Sequence, residues 1–184
     1  MKKSIAFLTV LLFAGVAVAS AQVVPLLKFE LGTSVSYYNL KFDSDTDSLD
    51  YLNIPVRFGW YVMGGLELEP EIQVYIPLET GADVAYFAQG HVLYNFSLAG
   101  KIVPFVGGGA GIGNGLPVYG LIEGGADTRS FAWIGMAGAK FMVTKAVAIR
   151  MEYRFNRVSW EIVNLVPKEW GNIHQVLTGI SVFF

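Results

Sequence analysis

The stretch Asn172–Phe184 reads N-I-H-Q-V-L-T-G-I-S-V-F-F. From Val176 onward every second residue is apolar or small enough for lipid: Val176, Thr178, Ile180, Val182 and Phe184. The residues between them, Gln175, Leu177, Gly179, Ser181 and Phe183, are a more mixed set. A period of two marks a strand with two different faces. On a soluble sheet, an unprotected Phe183–Phe184 edge would invite aggregation. The same residues are in place if the strand closes a barrel and turns its outer face to lipid.

Composition narrows the choice. The chain has 184 residues, no Cys, a formal charge of -2 and a hydrophobic fraction of 53%. Its long apolar run lies at the N-terminus, where Met1-Lys2-Lys3 precedes the apolar segment 5–19 and the small-x-small triplet Ala19-Ser20-Ala21. That is the pattern of a cleaved secretory signal peptide over 1–21. Fifteen apolar residues fall short of the roughly 20 that a spanning helix needs. Removing 21 residues from 184 leaves 22–184 as one domain; with Lys2 and Lys3 gone, 11 basic and 15 acidic residues remain, a charge of -4. No basic patch suggests nucleic acid. Without Cys there is no disulfide scaffold, thiolate metal site or lipid-modified N-terminal Cys. An exported, apolar chain without a second long hydrophobic helix leaves the β-barrel as its means of crossing a membrane, since only helices and closed barrels satisfy their backbone in lipid.

The rest of the chain repeats the two-residue period. Strand one, 27–38, sets Leu27, Phe29, Leu31, Thr33, Val35 and Tyr37 against Lys28, Glu30, Gly32, Ser34, Ser36 and Tyr38. Charges cannot face lipid, so the second set points inward. Strand two, 51–62, carries Arg57 inward, and Pro55 within it suggests a bulge. Strand three, 66–76, brings in Glu67, Glu69 and Glu71; strand four, 84–96, brings in Gln89, His91 and Asn95. Strand five, 102–112, is so rich in Gly that alternation alone sets no register. Strand six, 130–141, turns Lys140 inward, and strand seven, 146–155, turns in Arg150, Glu152 and Arg154. The stretch opened above is strand eight. Three short turns (63–65, 98–101, 143–145) alternate with four longer loops (41–50, 77–83, 114–129, 156–171), the asymmetry of an outer-membrane barrel with short periplasmic turns. The expected fold is all-β: an eight-stranded antiparallel up-and-down transmembrane barrel. Aromatics form two expected belts: Tyr37, Tyr86, Phe131, Trp133, Tyr153 and Phe155 outside, and Phe29, Trp60, Tyr94, Phe96, Phe141 and Phe184 at the periplasmic side.

With the signal peptide, the segments I-P-V-R-F-G-W (54–60), P-F-V-G-G-G-A-G-I-G (104–113), R-M-E-Y-R-F (150–155) and V-L-T-G-I-S-V-F-F (176–184) resemble the small eight-stranded outer-membrane barrels of the OmpA/OmpX type. The resemblance covers essentially all of 22–184. It implies residence in the outer membrane of a diderm bacterium, contact with outer-membrane lipid and lipopolysaccharide, and a terminal strand (Val176, Thr178, Ile180, Val182, Phe184) read by the barrel-assembly machinery. No peptidoglycan-binding domain follows the barrel, so wall anchoring is not implied. The family hosts structural proteins, adhesins and enzymes alike, so the fold names no activity.

The chemistry on offer is sparse. The inward ionisable set is Lys28, Glu30, Arg57, Glu67, Glu69, Glu71, Lys140, Arg150, Glu152 and Arg154. Five acids and five bases read as a salt-bridged core, since eight strands leave an interior just wide enough for side chains to fill. The alternative is a narrow porin-like channel lined by the same groups. The lipid A deacylases of this architecture share a His-x-Ser pair; here Val92-Leu93 follows His91 and Gln175-Val176 follows His174, so no catalytic set is visible and neither His is expected to act. The acidic run 43–50 resembles the start of an EF-hand loop but lacks its turn Gly and bidentate Glu. The Gly107–Gly115 run lacks the spacing of a phosphate-binding loop. The sequence therefore predicts a non-enzymatic outer-membrane barrel without metal or cofactor, whose loops hold any surface ligand site.

Overall fold

The computed structural model describes residues 28–41, 48–78, 84–96, 101–114, 128–162 and 166–184. The expected signal peptide lies outside these residues, as does the acidic run up to residue 47. Eight strands follow in order: β1 Phe29–Lys41, β2 Ser48–Met63, β3 Leu66–Pro77, β4 Ala85–Asn95, β5 Ile102–Gly113, β6 Thr128–Met142, β7 Val147–Ile162 and β8 Val166–Phe183. Each pairs antiparallel with its neighbour in sequence, and β8 returns to β1, closing the barrel. At that seam Glu30 pairs with Phe183 and Val35 with Thr178. The Phe29 and Phe184 backbones exchange two hydrogen bonds of 3.1 and 3.0 Å. Closure removes the free edge that the terminal strand would otherwise present.

The two faces are the inverse of a soluble protein's. Leu31, Val35, Phe58, Trp60, Ile72, Val92, Ile112, Met151, Val176 and Ile180 are exposed on the outside. Glu30, Arg57, Glu67, Glu69, Arg150 and Arg154 are almost wholly buried inside. A one-residue slip in any ladder would exchange these faces, so the pattern fixes the register strongly. Aromatics pair along the outer surface: Phe29 stacks on Phe58 at 5.6 Å, and Phe131 meets Trp133 edge-on at 5.0 Å.

Three local expectations are corrected. Lys28 precedes β1 and is exposed, so it lies outside the buried charge network. Pro55 makes no bulge: the β1–β2 register is the same at Thr33↔Val56 and Ser36↔Asn53, and Pro55 stays paired with Gln73 of β3. The Thr33 hydroxyl donates to the Pro55 carbonyl at 3.0 Å beside the interrupted ladder. The irregularity of β2 lies instead between Tyr61 and Met63, next to the turn. The loop expected over 156–171 is largely strand, with Asn156 opposite Ile173 and Val158 opposite Gly171. Its rungs are polar, with Asn156 donating to Gln175 at 3.0 Å and Arg157 to Asn172 at 2.9 Å. A strand beyond the lipid needs no apolar outer face, which is why it reads as a loop.

Two groups of glycines have identifiable work. Gly64 and Gly65, with φ of 51° and 92°, make the tight β2–β3 turn in a region that other residues avoid. The run in β5 serves close approach. Its inward positions lie under bulky β4 side chains: a Cβ at Gly109 would sit 2.6 Å from His91 Cδ2 and against the Gly90 carbonyl, and one at Gly111 would sit 2.7 Å from Gln89 Cβ. We expect Gly109→Val to destabilise the refolded barrel by about 1–3 kcal/mol through overpacking. The urea midpoint of the variant checks this, and an unchanged midpoint would remove this explanation of the glycine run.

Candidate functional site: a buried ion-pair plug

The inward charges meet in the lumen because five strands (β1, β2, β3, β6 and β7) carry them at matching registers. Lys140 of β6 sits opposite Arg150 of β7, and Arg57 of β2 opposite Glu71 of β3. Pairing then crosses the lumen. Arg150 donates to both oxygens of Glu69, through Nη2 at 3.0 Å and also through Nη1, and its Nε donates to Glu152 at 2.8 Å. Arg154 holds both oxygens of Glu71 at 2.6 Å and reaches Glu152 at 2.6 Å. Arg57 donates to Glu152 at 3.0 Å and to the Ser34 hydroxyl. Three guanidinium groups therefore converge on Glu152. Bidentate guanidinium–carboxylate pairs are the strong, directional form of this interaction.

Lys140 holds the remaining two acids. Its ammonium donates to Glu30 at 2.5 Å, Glu67 at 2.8 Å and the Tyr61 hydroxyl at 2.7 Å, using its three protons. Tyr61 donates onward to Glu30 at 2.8 Å, and Asn95 donates to Glu67 at 2.7 Å. Phe105 lies beneath both cations, 4.5 Å from the Arg150 guanidinium carbon and 5.6 Å from Lys140 Nζ. On the side away from the short turns, Gln73 donates to Glu71 at 2.8 Å, and Gln89 donates to the same oxygen. Tyr51, Tyr75, Phe87 and Val158 belong to an apolar cluster above that layer. The lumen is thus filled by charge pairs, then amides, then aromatic and aliphatic side chains.

Nine of the ten residues expected inside are brought together; Lys28 is not. With it gone, five buried carboxylates (Glu30, Glu67, Glu69, Glu71, Glu152) face four buried cations (Arg57, Lys140, Arg150, Arg154). Replacing Lys28 with Ala is accordingly expected to change stability by no more than about 0.5 kcal/mol, as for an exposed side chain. A larger loss in urea unfolding would return Lys28 to the network. The expected ion-pair set held charges alone; Ser34, Tyr61, Gln73, Gln89 and Asn95, which share the inward parity, join it as neutral hydrogen-bonding members. His91, 3% exposed, also faces this layer, with its Nδ1 3.5 Å from a Glu69 oxygen.

No family model matches the chain, and no curated protein sequence matches it either. Solved structures do. Neisserial surface protein A superposes with a TM-score of 0.57 at 14% identity, covering 85% of this chain and 95% of that one. The N-terminal β-barrel domain of Pseudomonas aeruginosa OprF gives 0.52 at 14% identity over 86% and 98%. A de novo designed transmembrane β-barrel gives 0.50 at 16% identity over 85% and 95%. Identities this low carry the fold alone. By its closed antiparallel topology, its apolar outer surface and these likenesses, the chain has the fold of the small eight-stranded outer-membrane β-barrels.

Proposed function

We propose that the protein is an integral barrel of the outer membrane with a structural or surface-interaction role, and that its lumen does not conduct. One observation carries this reading: the charged layer is continuous across the barrel, and its ion-paired side chains have 0–1% of their surface exposed. Stranding any one of those charges costs several kcal/mol, so opening a path would require breaking coupled pairs together. No catalytic set accompanies the plug among the described residues. The one hydrogen-bonded His–Tyr pair, Tyr153 with His174 at 2.5 Å, lies on the outside.

The remaining parts of the reading concern the envelope. The outward residues of the last strand, Val176, Thr178, Ile180, Val182 and Phe184, serve as the assembly signal. The outer surface meets membrane lipid and lipopolysaccharide, residues 1–21 act as an export signal, and the loops present any surface ligand site. Planar-bilayer recording of the refolded protein tests the sealed lumen. Repeated insertions without unitary conductance are expected; reproducible unitary steps would give the narrow-channel alternative instead.

A further inference from the structure

We propose that Glu69, Glu71 and His91 form a lumenal site for one divalent transition-metal ion of the Zn2+ class. One ligand atom from each of the three residues can be chosen so that all lie within 4.8 Å of one another. His91 is buried, and neither of its ring nitrogens has a hydrogen-bond partner among the described residues. A buried polar group without a partner calls for an explanation, such as an ion. The separation of His91 Nδ1 from Glu69 Oε1, 3.5 Å, is long for a hydrogen bond. Two ligands each about 2.0–2.1 Å from a tetrahedral ion stand roughly 3.3 Å apart, so the observed spacing suits shared coordination.

The surroundings fit the same assignment. Glu69 is gripped by Arg150 and Glu71 by Arg154; each Glu69 oxygen and Glu71 Oε2 accept one hydrogen bond apiece, which leaves each of these oxygens a second lone pair. Glu71 Oε1 also accepts from Gln73 and Gln89, which leaves Oε2 as the less crowded ligand atom. Such outer partners orient ligating carboxylates. Charge does not oppose it: five buried carboxylates against four buried cations leave one negative charge, and a divalent ion takes the layer from -1 to +1. A nitrogen ligand beside two carboxylates selects a transition metal over Ca2+ or Mg2+, which prefer all-oxygen shells. The other buried acid group, Glu30, Glu67 and Glu69, has Lys140 already seated between two of its members.

The test uses the refolded full barrel and Zn2+ alone, titrated in competition with a chromophoric chelator. One equivalent is expected to bind to wild type and to His174→Gln, with affinity at least about tenfold weaker in His91→Gln. Retained heat-modifiable migration would show that each variant is folded. On wild-type protein, histidine ring 15N resonances give a readout that needs no variant: the His91 nitrogen signal is expected to move with Zn2+. Absence of binding, equal binding by His91→Gln, or movement of His174 alone would overturn the site.

Discussion

Arg150→Ala is expected to destabilise the barrel by about 3–5 kcal/mol, the cost of leaving a buried charge without its partner. Arg150 donates to both oxygens of Glu69 and to Glu152, and it stands 3.6 Å from a Glu30 oxygen. Without it, the contact left to the Glu69 carboxylate within 4.0 Å among the described basic side chains is His91 Nδ1 at 3.5 Å. Arg150→Lys is expected to lose less, because an ammonium restores the charge but cannot span two carboxylates with a planar fork. Urea unfolding of protein refolded into vesicles, followed by Trp fluorescence and gel migration, gives both values. A loss under about 1 kcal/mol for Arg150→Ala would mean that solvent or rearrangement satisfies those acids, and the plug would not be the sealed layer described here.

The second large effect is expected on deleting Phe184. Its backbone exchanges two hydrogen bonds with Phe29, and its ring lies 5.9 Å from the Phe29 ring. Two net hydrogen bonds at about 0.5–1.5 kcal/mol each and an aromatic pair at about 0.5–1.5 kcal/mol give roughly 1.5–4.5 kcal/mol at the seam. The seam is short: its ladder runs from Glu30↔Phe183 to Val35↔Thr178, whereas β7 and β8 pair from Val147↔Val182 to Ile162↔Val166. Loss of stability in vitro, together with loss of the heat-modifiable form from cells, is the expected result. If the purified variant refolds with unchanged stability while assembly in cells fails, Phe184 acts as a signal rather than a fastener. If neither changes, both roles are wrong.

Much of the barrel is legible in the sequence because lipid outside and charge inside force opposite polarities onto neighbouring residues. β3 and β7 show this best: Glu67, Glu69 and Glu71, then Arg150, Glu152 and Arg154, occupy alternate positions between apolar neighbours. Legibility stops where that contrast stops. Asn156 and Arg157 are polar on both faces and read as loop, yet cross-strand bonds to Gln175 and Asn172 continue the ladder there. Lys28 has the right parity but precedes the first rung, and parity carries no information about where a strand begins. The inner face of β5 is bare from Gly107 onward because β4 side chains fill that space, a relation between strands that neither one states alone. The partners within the plug are long-range, Arg150 with Glu69 and Lys140 with Glu30, and only the register reveals them.

The apolar face of these strands points outward into lipid; in a soluble barrel that face would line a lumen. The chain has no Cys, so single cysteines along β7 can carry spin labels without background. Ile149, Met151 and Tyr153 are 43–47% exposed, while Ala148 is buried. In vesicles, labels at 149, 151 and 153 should collide readily with oxygen, which concentrates in hydrocarbon, and poorly with a water-soluble nickel chelate, while a label at 148 is shielded from both. The reverse order, with nickel reaching 149, 151 and 153, would contradict the membrane barrel.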